Sequence, residues 1–131
     1  MKWELHHTGC LVESIKESID LYRTIFGEDK VSSVVDVSSQ GVKVCFVETA
    51  PNVFLELIEP SSEDSVVARL LKKNVRYYHV AYLTENFDQD IVSLTEQYSK
   101  HLNTFYSEAF QGKRCAFLYL PDGSLIELIE K

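Results

Sequence analysis

Two histidines and two glutamates recur at matching positions in this chain of 131 residues. His7 and His79 each lie in a short apolar run, at an offset of 72 residues (79 − 7). Glu56 and Glu127 each open a copy of the tetrapeptide Glu-Leu-Ile-Glu, at an offset of 71 residues (127 − 56). Imidazole nitrogens and carboxylate oxygens both bind divalent transition metals. The repeat therefore predicts one metal site whose four ligands are His7, Glu56, His79 and Glu127.

The position of each glutamate within an apolar strand supports this prediction. Side chains alternate between the two faces of a strand, so Glu56 shares a face with Phe54 and Ile58. Burying a carboxylate on such a face is costly unless it is paired or coordinates a cation. Taken singly, such a glutamate could instead face solvent on a half-exposed sheet, and such a histidine could be a hydrogen-bonded core residue. The joint recurrence favours the metal site, since a divalent ion neutralises both carboxylates.

Other titratable residues near the repeat compete for the ligand positions. His6 precedes His7, but Tyr78 occupies the equivalent position in the second half. Glu59 and Glu130 close the two tetrapeptides and are expected to face water at strand ends. His101 has no counterpart in the first half and is expected at a helix end. None of these residues is predicted to be a ligand.

The repeat predicts a duplicated βαβββ module in an α+β fold. Module one spans about 1–60 and module two about 76–131, within one domain of residues 1–131. A short amphipathic helix within about 64–74 is expected to connect the modules. The predicted helices lie at about 14–26 and 87–98, with Phe87, Ile91, Leu94 and Tyr98 on one apolar stripe. The predicted strands lie at about 5–12, 30–37, 42–48, 53–58, 77–83, 104–110, 115–120 and 125–129.

Composition excludes several classes of function. A net charge of −7 argues against a nucleic-acid-binding protein, which needs a clustered positive surface. No apolar run approaches the ~20 residues of a membrane-spanning helix. The three cysteines are widely spaced and form no Cys-x-x-Cys pair, as in a protein of a reducing compartment. We therefore expect a cytoplasmic protein.

These residues resemble the vicinal oxygen chelate superfamily, which contains glyoxalase I, methylmalonyl-CoA epimerase, extradiol dioxygenases and bleomycin resistance proteins. The resemblance covers nearly the whole chain and implies two βαβββ modules whose curved mixed sheets surround a metal. The four ligand positions of the superfamily fall on His7, Glu56, His79 and Glu127. Within the superfamily, the segments 40–44, 55–60 and 64–74 are most similar to the methylmalonyl-CoA epimerases.

The resemblance implies a metal-dependent enzyme that moves a proton next to a carbonyl through a metal-stabilised enolate. Glu127 is implied as ligand and base together, with Glu56 as the alternative base. The implied ion is Zn, Ni, Co, Mn or Fe, and the implied substrate is an acyl-CoA thioester or another thiol conjugate. A homodimer is implied as well, with each site built by one chain or by two.

Two alternatives within the same superfamily stay open. One is a glyoxalase I-like lactoylglutathione lyase, which shares the enolate chemistry and the same ligands. The other is a non-catalytic protein that binds a small molecule, as resistance proteins do. An extradiol dioxygenase is disfavoured, because that chemistry uses two histidines and one carboxylate on iron and leaves positions open for oxygen.

Overall fold

A single mixed sheet of eight strands forms the frame of the protein. The computed structural model describes residues 1–131, and its strands follow the order β2-β3-β4-β1-β5-β8-β7-β6. None of the three helices combines the length and hydrophobicity needed to span a membrane. The strands are β1 (Glu4–Leu11), β2 (Val35–Val37), β3 (Val42–Ala50), β4 (Val53–Pro60), β5 (Tyr77–Thr84), β6 (Lys100–Ser107), β7 (Lys113–Tyr119) and β8 (Leu125–Glu130), and the helices are α1 (Ile15–Phe26), α2 (Val66–Lys72) and α3 (Phe87–Glu96).

The two modules join along their first strands. β1 and β5 pair antiparallel at the centre of the sheet. Each of them also pairs in parallel with the last strand of its own module, β1 with β4 and β5 with β8. The predicted α+β fold with two βαβββ copies is thereby confirmed, and the two module sheets form one curled half-barrel.

Helices α1 and α3 cover the outer face of the sheet. Ser14 caps α1 by accepting a hydrogen bond from the backbone N–H of Glu17, and Gly27 follows its last turn with a φ of 116°. Ile15 of α1 packs in a core cluster with Leu57 of β4. In the second module, Phe87 of α3 packs in the same way on a cluster of β7 and β8: Ala116, Leu118, Ile126 and Leu128. Glu56 and Glu127 alternate with these core residues and therefore point to the opposite, concave face.

The end of the second predicted helix is wrong. Helix α3 stops at Glu96, so Tyr98 does not continue the apolar stripe. Tyr98 has a φ of 68° and is 91% exposed. A left-handed backbone conformation cannot continue a right-handed helix, and the chain turns there to begin β6 at Lys100.

Two predicted strands begin four or five residues away from their starts in the structure. The strand expected over 30–37 is reduced to β2, because residues 28–30 form a 3₁₀ turn, and an isolated bridge pairs Val31 with Val47. The strand expected over 104–110 begins earlier, at Lys100, and ends at Ser107. Residues 108–110 form a 3₁₀ turn there, capped by the side chain of Ser107.

Hydrogen bonds connect the two edge strands of the half-barrel. β2 and β6 lie at opposite edges of the sheet, and each is followed by a 3₁₀ turn, at 38–40 and 108–110. The Ser38 hydroxyl donates to Glu108 Oε1 over 2.9 Å, and the Ser39 hydroxyl donates to Glu108 Oε2 over 3.2 Å. We call these three residues the edge clasp. The clasp links the two edges of the curled sheet.

Removing the clasp carboxylate should loosen this edge without unfolding the sheet. In Glu108→Ala, amide hydrogen exchange should accelerate at residues 38–40 and 108–110, because exposed hydrogen bonds open locally. Exchange in the central strand β1 should stay unchanged. Glu96→Ala removes an exposed glutamate of α3 and is the matched control. Equal exchange in wild type and Glu108→Ala would show that the clasp does not hold the edge.

Candidate metal centre

The four predicted ligands come from the four central strands of the sheet. His7 lies on β1, Glu56 on β4, His79 on β5 and Glu127 on β8. All four side chains are buried on the concave face, with exposed fractions between 0% and 5%. Duplication of one module thus brings one His and one Glu from each half to a common point.

The strand register alternates a ligand candidate with a small residue. Gly9 pairs with Glu56 on one side and with His79 on the other. Ala81 pairs in the same way with His7 and with Glu127. A Cβ atom added at Gly9 would lie 2.4 Å from Cε1 of His79, so the imidazole ring occupies the space above this glycine. The absence of a side chain at Gly9 allows His79 to reach the centre.

The polar atoms converge at distances close to those of metal ligands. His7 Nε2 lies 3.0 Å from His79 Nε2, and one ligand atom each from His7, His79 and Glu127 all lie within 4.8 Å of one another. Metal–nitrogen bonds of about 2.1 Å place two ligand atoms about 3.0 Å apart at a right angle and about 4.2 Å apart across the ion. Glu56 Oε1 lies 3.5 Å and 3.7 Å from the two imidazole nitrogens, between these limits. Glu127 Oε2 lies 3.6 Å from His79 Nε2.

Burial keeps these groups neutral when no cation is bound. Desolvation raises the pKa of Glu56 to about 8, and desolvation together with the nearby Glu56 raises the pKa of Glu127 well above its usual range. Desolvation lowers the pKa of His79 to about 3 and, together with His79 and His6, lowers the pKa of His7. The short His–Glu distances are therefore contacts between neutral groups, not ion pairs. A divalent cation would reverse this state of the carboxyls by favouring their charged forms.

One buried carboxyl oxygen of the cluster fits a metal ion better than a closed polar network. Glu127 Oε1 has no hydrogen-bond partner within the protein. Buried polar atoms are nearly always partnered, so this oxygen indicates a ligand or ion of the folded protein. Together with the donor set, it fits a divalent metal, and the role of the four residues as its ligands stays a prediction.

The competing titratable residues lie outside the centre, with one exception. Glu59 accepts a hydrogen bond from the backbone N–H of Ile15, over 2.8 Å. Glu130 pairs with Arg114, and His101 hydrogen-bonds Thr104. The exception is His6, whose Nδ1 lies 2.8 Å from His7 Nδ1.

A small cavity opens beside the centre. Its volume is about 50 Å³, and most of its lining is apolar, including Val44, Ile58 and Phe117. Glu56, His79 and Glu127 reach its wall, and Gln40, Tyr78 and Ser107 are its other polar residues. No lysine or arginine lines it. A group that enters this cavity therefore meets the two carboxyls and the His79 imidazole in a site of low polarity.

Comparison with known proteins identifies the family. The sequence profile of the glyoxalase/bleomycin resistance protein/dioxygenase superfamily matches residues 6–117. The chain belongs to this superfamily, as its residues predicted.

Relatives within the superfamily include epimerases. The mitochondrial methylmalonyl-CoA epimerase of Dictyostelium discoideum is 29% identical, over 98% of this chain and 78% of the relative. An uncharacterized Bacillus subtilis protein, YqjC, is 33% identical, over 96% of this chain and 91% of its own length. The solved structure of a Streptomyces coelicolor methylmalonyl-CoA epimerase variant with 2-nitronate-propionyl-CoA superposes with a TM-score of 0.82. It is 26% identical, and the match covers 97% of this chain and 93% of that one.

Filling the space above Gly9 should weaken metal binding without unfolding the chain. In Gly9→Ala, the new Cβ displaces the His79 ring, since three ring atoms lie at 3.0 Å or closer. We expect the affinity for Co²⁺ to fall by at least about tenfold, because a displaced ligand costs affinity at this scale. A Co²⁺ titration in competition with a fluorescent chelator measures this affinity. Gly41→Ala is the control, because it changes a glycine with no heavy atom within 4 Å. Unchanged affinity in Gly9→Ala would remove His79 from the ligand set.

The free energy of unfolding of the metal-free protein should fall as pH rises from about 6.5 to 8. In this window the folded chain retains the Glu56 proton that the unfolded chain, with a carboxyl pKa of 4.5, has lost. His79 acts in the opposite direction at lower pH, because between 3 and 6.5 the unfolded chain binds a proton that the folded chain does not. The free energy of unfolding is therefore expected to be highest between about pH 4.5 and 6.5.

Urea denaturation at several pH values, with chelator or with excess Zn²⁺, measures this dependence. Zn²⁺ should abolish the fall, because a metal-bound carboxylate is already deprotonated. Glu56→Gln should reduce the fall in the metal-free protein, since the amide does not titrate. A metal-free protein whose stability rises between pH 6.5 and 8 would contradict the neutral carboxyl cluster.

Proposed function

We propose that this protein is a divalent-metal-dependent isomerase that moves a proton at the carbon next to the carbonyl of an acyl-CoA thioester. One observation carries the proposal: the buried His7, His79 and Glu127 bring ligand atoms within 4.8 Å of one another beside a cavity, and Glu56 Oε1 lies 3.5 Å and 3.7 Å from the two imidazoles. The choice of reaction is supported by the methylmalonyl-CoA epimerases among its relatives. A divalent ion bound there would act as a Lewis acid on the substrate carbonyl and make the adjacent C–H more acidic.

His7 and His79 would hold the ion through their Nε2 atoms. Both nitrogens already face the same point, 3.0 Å apart. Holding the two imidazoles in place before the ion arrives reduces the reorganisation that binding requires. Glu56 and Glu127 would complete the ligand set and balance the charge of the ion, so the buried site carries little net charge.

Glu127 is the better placed base. Its Oε2 faces His79, whereas its Oε1 has no partner within the protein. A carboxylate that keeps one free oxygen beside the cavity can accept a proton from a bound substrate and return it. Glu56 also reaches the cavity wall and is the alternative base.

The apolar lining of the cavity would support the same chemistry. Interactions between charges are stronger where water is excluded, so a bound cation would assist the proton transfer more strongly here than in water. An acyl group that reaches the two glutamates would pass this apolar lining, while the rest of a CoA thioester would extend outside. The metal identity among Zn, Ni, Co, Mn and Fe, the homodimer and the cytoplasmic location stay predictions.

Changing the base should remove turnover even in protein that is loaded with metal. In Glu127→Gln, the exchange of the α-hydrogen of 2-methylmalonyl-CoA with deuterium oxide should slow by 10²-fold or more, because the amide cannot accept the proton. The exchange is followed by ¹H NMR, and metal content is measured in the same samples. Glu63→Gln, on an exposed loop, is the control. Chelator should abolish exchange in the wild type, and added metal should restore it.

Two results would change the assignment. If Glu56→Gln abolished exchange while Glu127→Gln retained it, Glu56 would be the base. If the wild-type protein with metal exchanged no α-hydrogen of methylmalonyl-CoA but converted the hemithioacetal of methylglyoxal and glutathione, the protein would be a lyase. Binding of these thiol conjugates without turnover would make it a binding protein.

A further inference from the structure

Strand β1 carries a β-bulge at the residue before its ligand histidine. Leu5 pairs with Tyr82, and His7 pairs with Ala81, so His6 is an extra residue without an opposite partner. Successive residues of a regular strand point to opposite faces, whereas a bulge turns an extra side chain toward the side of its neighbour. The His6 ring therefore lies beside the His7 ring, with 5.1 Å between ring centroids.

Three phenylalanines hold the His6 ring in this position. The ring stacks on Phe54, with a centroid distance of 5.0 Å and an interplanar angle of 29°. The rings of Phe46 and Phe110 meet it edge-on, at 5.9 Å and 5.2 Å. We call these three residues the aromatic clamp. In this position Nδ1 of His6 lies 2.8 Å from His7 Nδ1.

The tautomer of His7 depends on which of the two Nδ1 atoms donates this hydrogen bond. One of the two Nδ1 atoms must carry a proton and the other must accept it. If His7 Nδ1–H donates, then His7 Nε2 keeps a lone pair, which accepts from His79 Nε2–H in the metal-free chain and is free for an ion. If His6 donated instead, His7 Nε2 would carry a proton and could not bind a metal. Metal-bound histidines generally donate their second N–H to such an acceptor.

We propose that His6 is a positioning residue, which accepts a hydrogen bond from His7 Nδ1–H and thereby presents the His7 Nε2 lone pair to the metal. The inference rests on the metal dependence of the proposed function. His6 lies next to the ligand His7 and is not itself a ligand.

The second module lacks an equivalent device. Tyr78 is the extra residue of a matching bulge on β5, where His79 pairs with Gly9 and Tyr77 pairs with Cys10. Its ring packs edge-on against His79, at 5.1 Å, but His79 Nδ1 has no hydrogen-bond partner within the protein. The imidazole of His7 is thus oriented by a hydrogen bond, and that of His79 by packing alone.

The tautomer can be read directly in the metal-free protein. Long-range ¹H–¹⁵N correlation spectra distinguish a protonated Nδ1 from a protonated Nε2, and we expect a protonated Nδ1 in His7. In His6→Phe the ring and its packing in the aromatic clamp are kept but the acceptor is lost, so the protonated-Nε2 form of His7 should appear. A wild-type spectrum with His7 protonated at Nε2 would overturn the proposal.

Metal affinity provides the second readout. His6→Phe should weaken Co²⁺ binding by about 10- to 100-fold, the usual effect of removing a partner of a ligand histidine. His6→Asn should bind within about threefold of wild type, because its Oδ1 replaces Nδ1 as acceptor. His101→Phe is the matched control and should not change affinity, since it replaces an exposed histidine whose side chain hydrogen-bonds Thr104. Equal losses in His6→Phe and His6→Asn would assign the effect to packing and overturn the proposal, as would wild-type affinity in His6→Phe.

These outcomes are independent of the enzymatic reaction. A protein that binds Co²⁺ as expected but exchanges no α-hydrogen of methylmalonyl-CoA would refute the proposed reaction and leave the role of His6 intact. Normal exchange in a His6→Phe protein with unchanged affinity would refute the role of His6 and leave the reaction intact.

Discussion

The cost of burying two carboxyl groups on one concave face governs this structure. Glu56 and Glu127 are nearly inaccessible, and no lysine or arginine lines the adjoining cavity. Each group can be neutralised by a proton or by a cation. The raised pKa values describe the protonated carboxyls, and the two neighbouring imidazoles supply further ligands for a cation. The same residues would be unfavourable in an ordinary apolar core, but they are suited to bind a divalent ion.

The parts of the molecule that follow from periodicity and duplication could be predicted from the sequence. The recurrence of His7, Glu56, His79 and Glu127 gave the ligand candidates, because equivalent residues of a duplicated module occupy equivalent strand positions. Strand alternation also placed Glu56 on the face opposite Leu57, as the core cluster beneath α1 confirms. These inferences depend on spacing within single strands, which the sequence states directly.

Features that depend on contacts between strands could not be predicted in this way. The bulge at His6 is a matter of register between β1 and β5, and the sequence gives no register. For the same reason, the sequence does not reveal the contact between His6 and His7 or the proximity of Gly9 to the His79 ring. The end of α3 before Tyr98 depends on a left-handed turn at a residue type that rarely adopts it. Tertiary context decided each of these points.

The seam between β1 and β5 has a thermodynamic consequence. Each half of the chain contributes one imidazole and one carboxyl, so neither half holds a complete coordination shell by itself. An ion that binds all four would act as a non-covalent cross-link across the seam, and its binding energy would add to the cohesion of the two halves. Metal binding and the stability of the duplicated sheet would then be thermodynamically linked. Loss of the metal would loosen the junction between the two halves before either half unfolds.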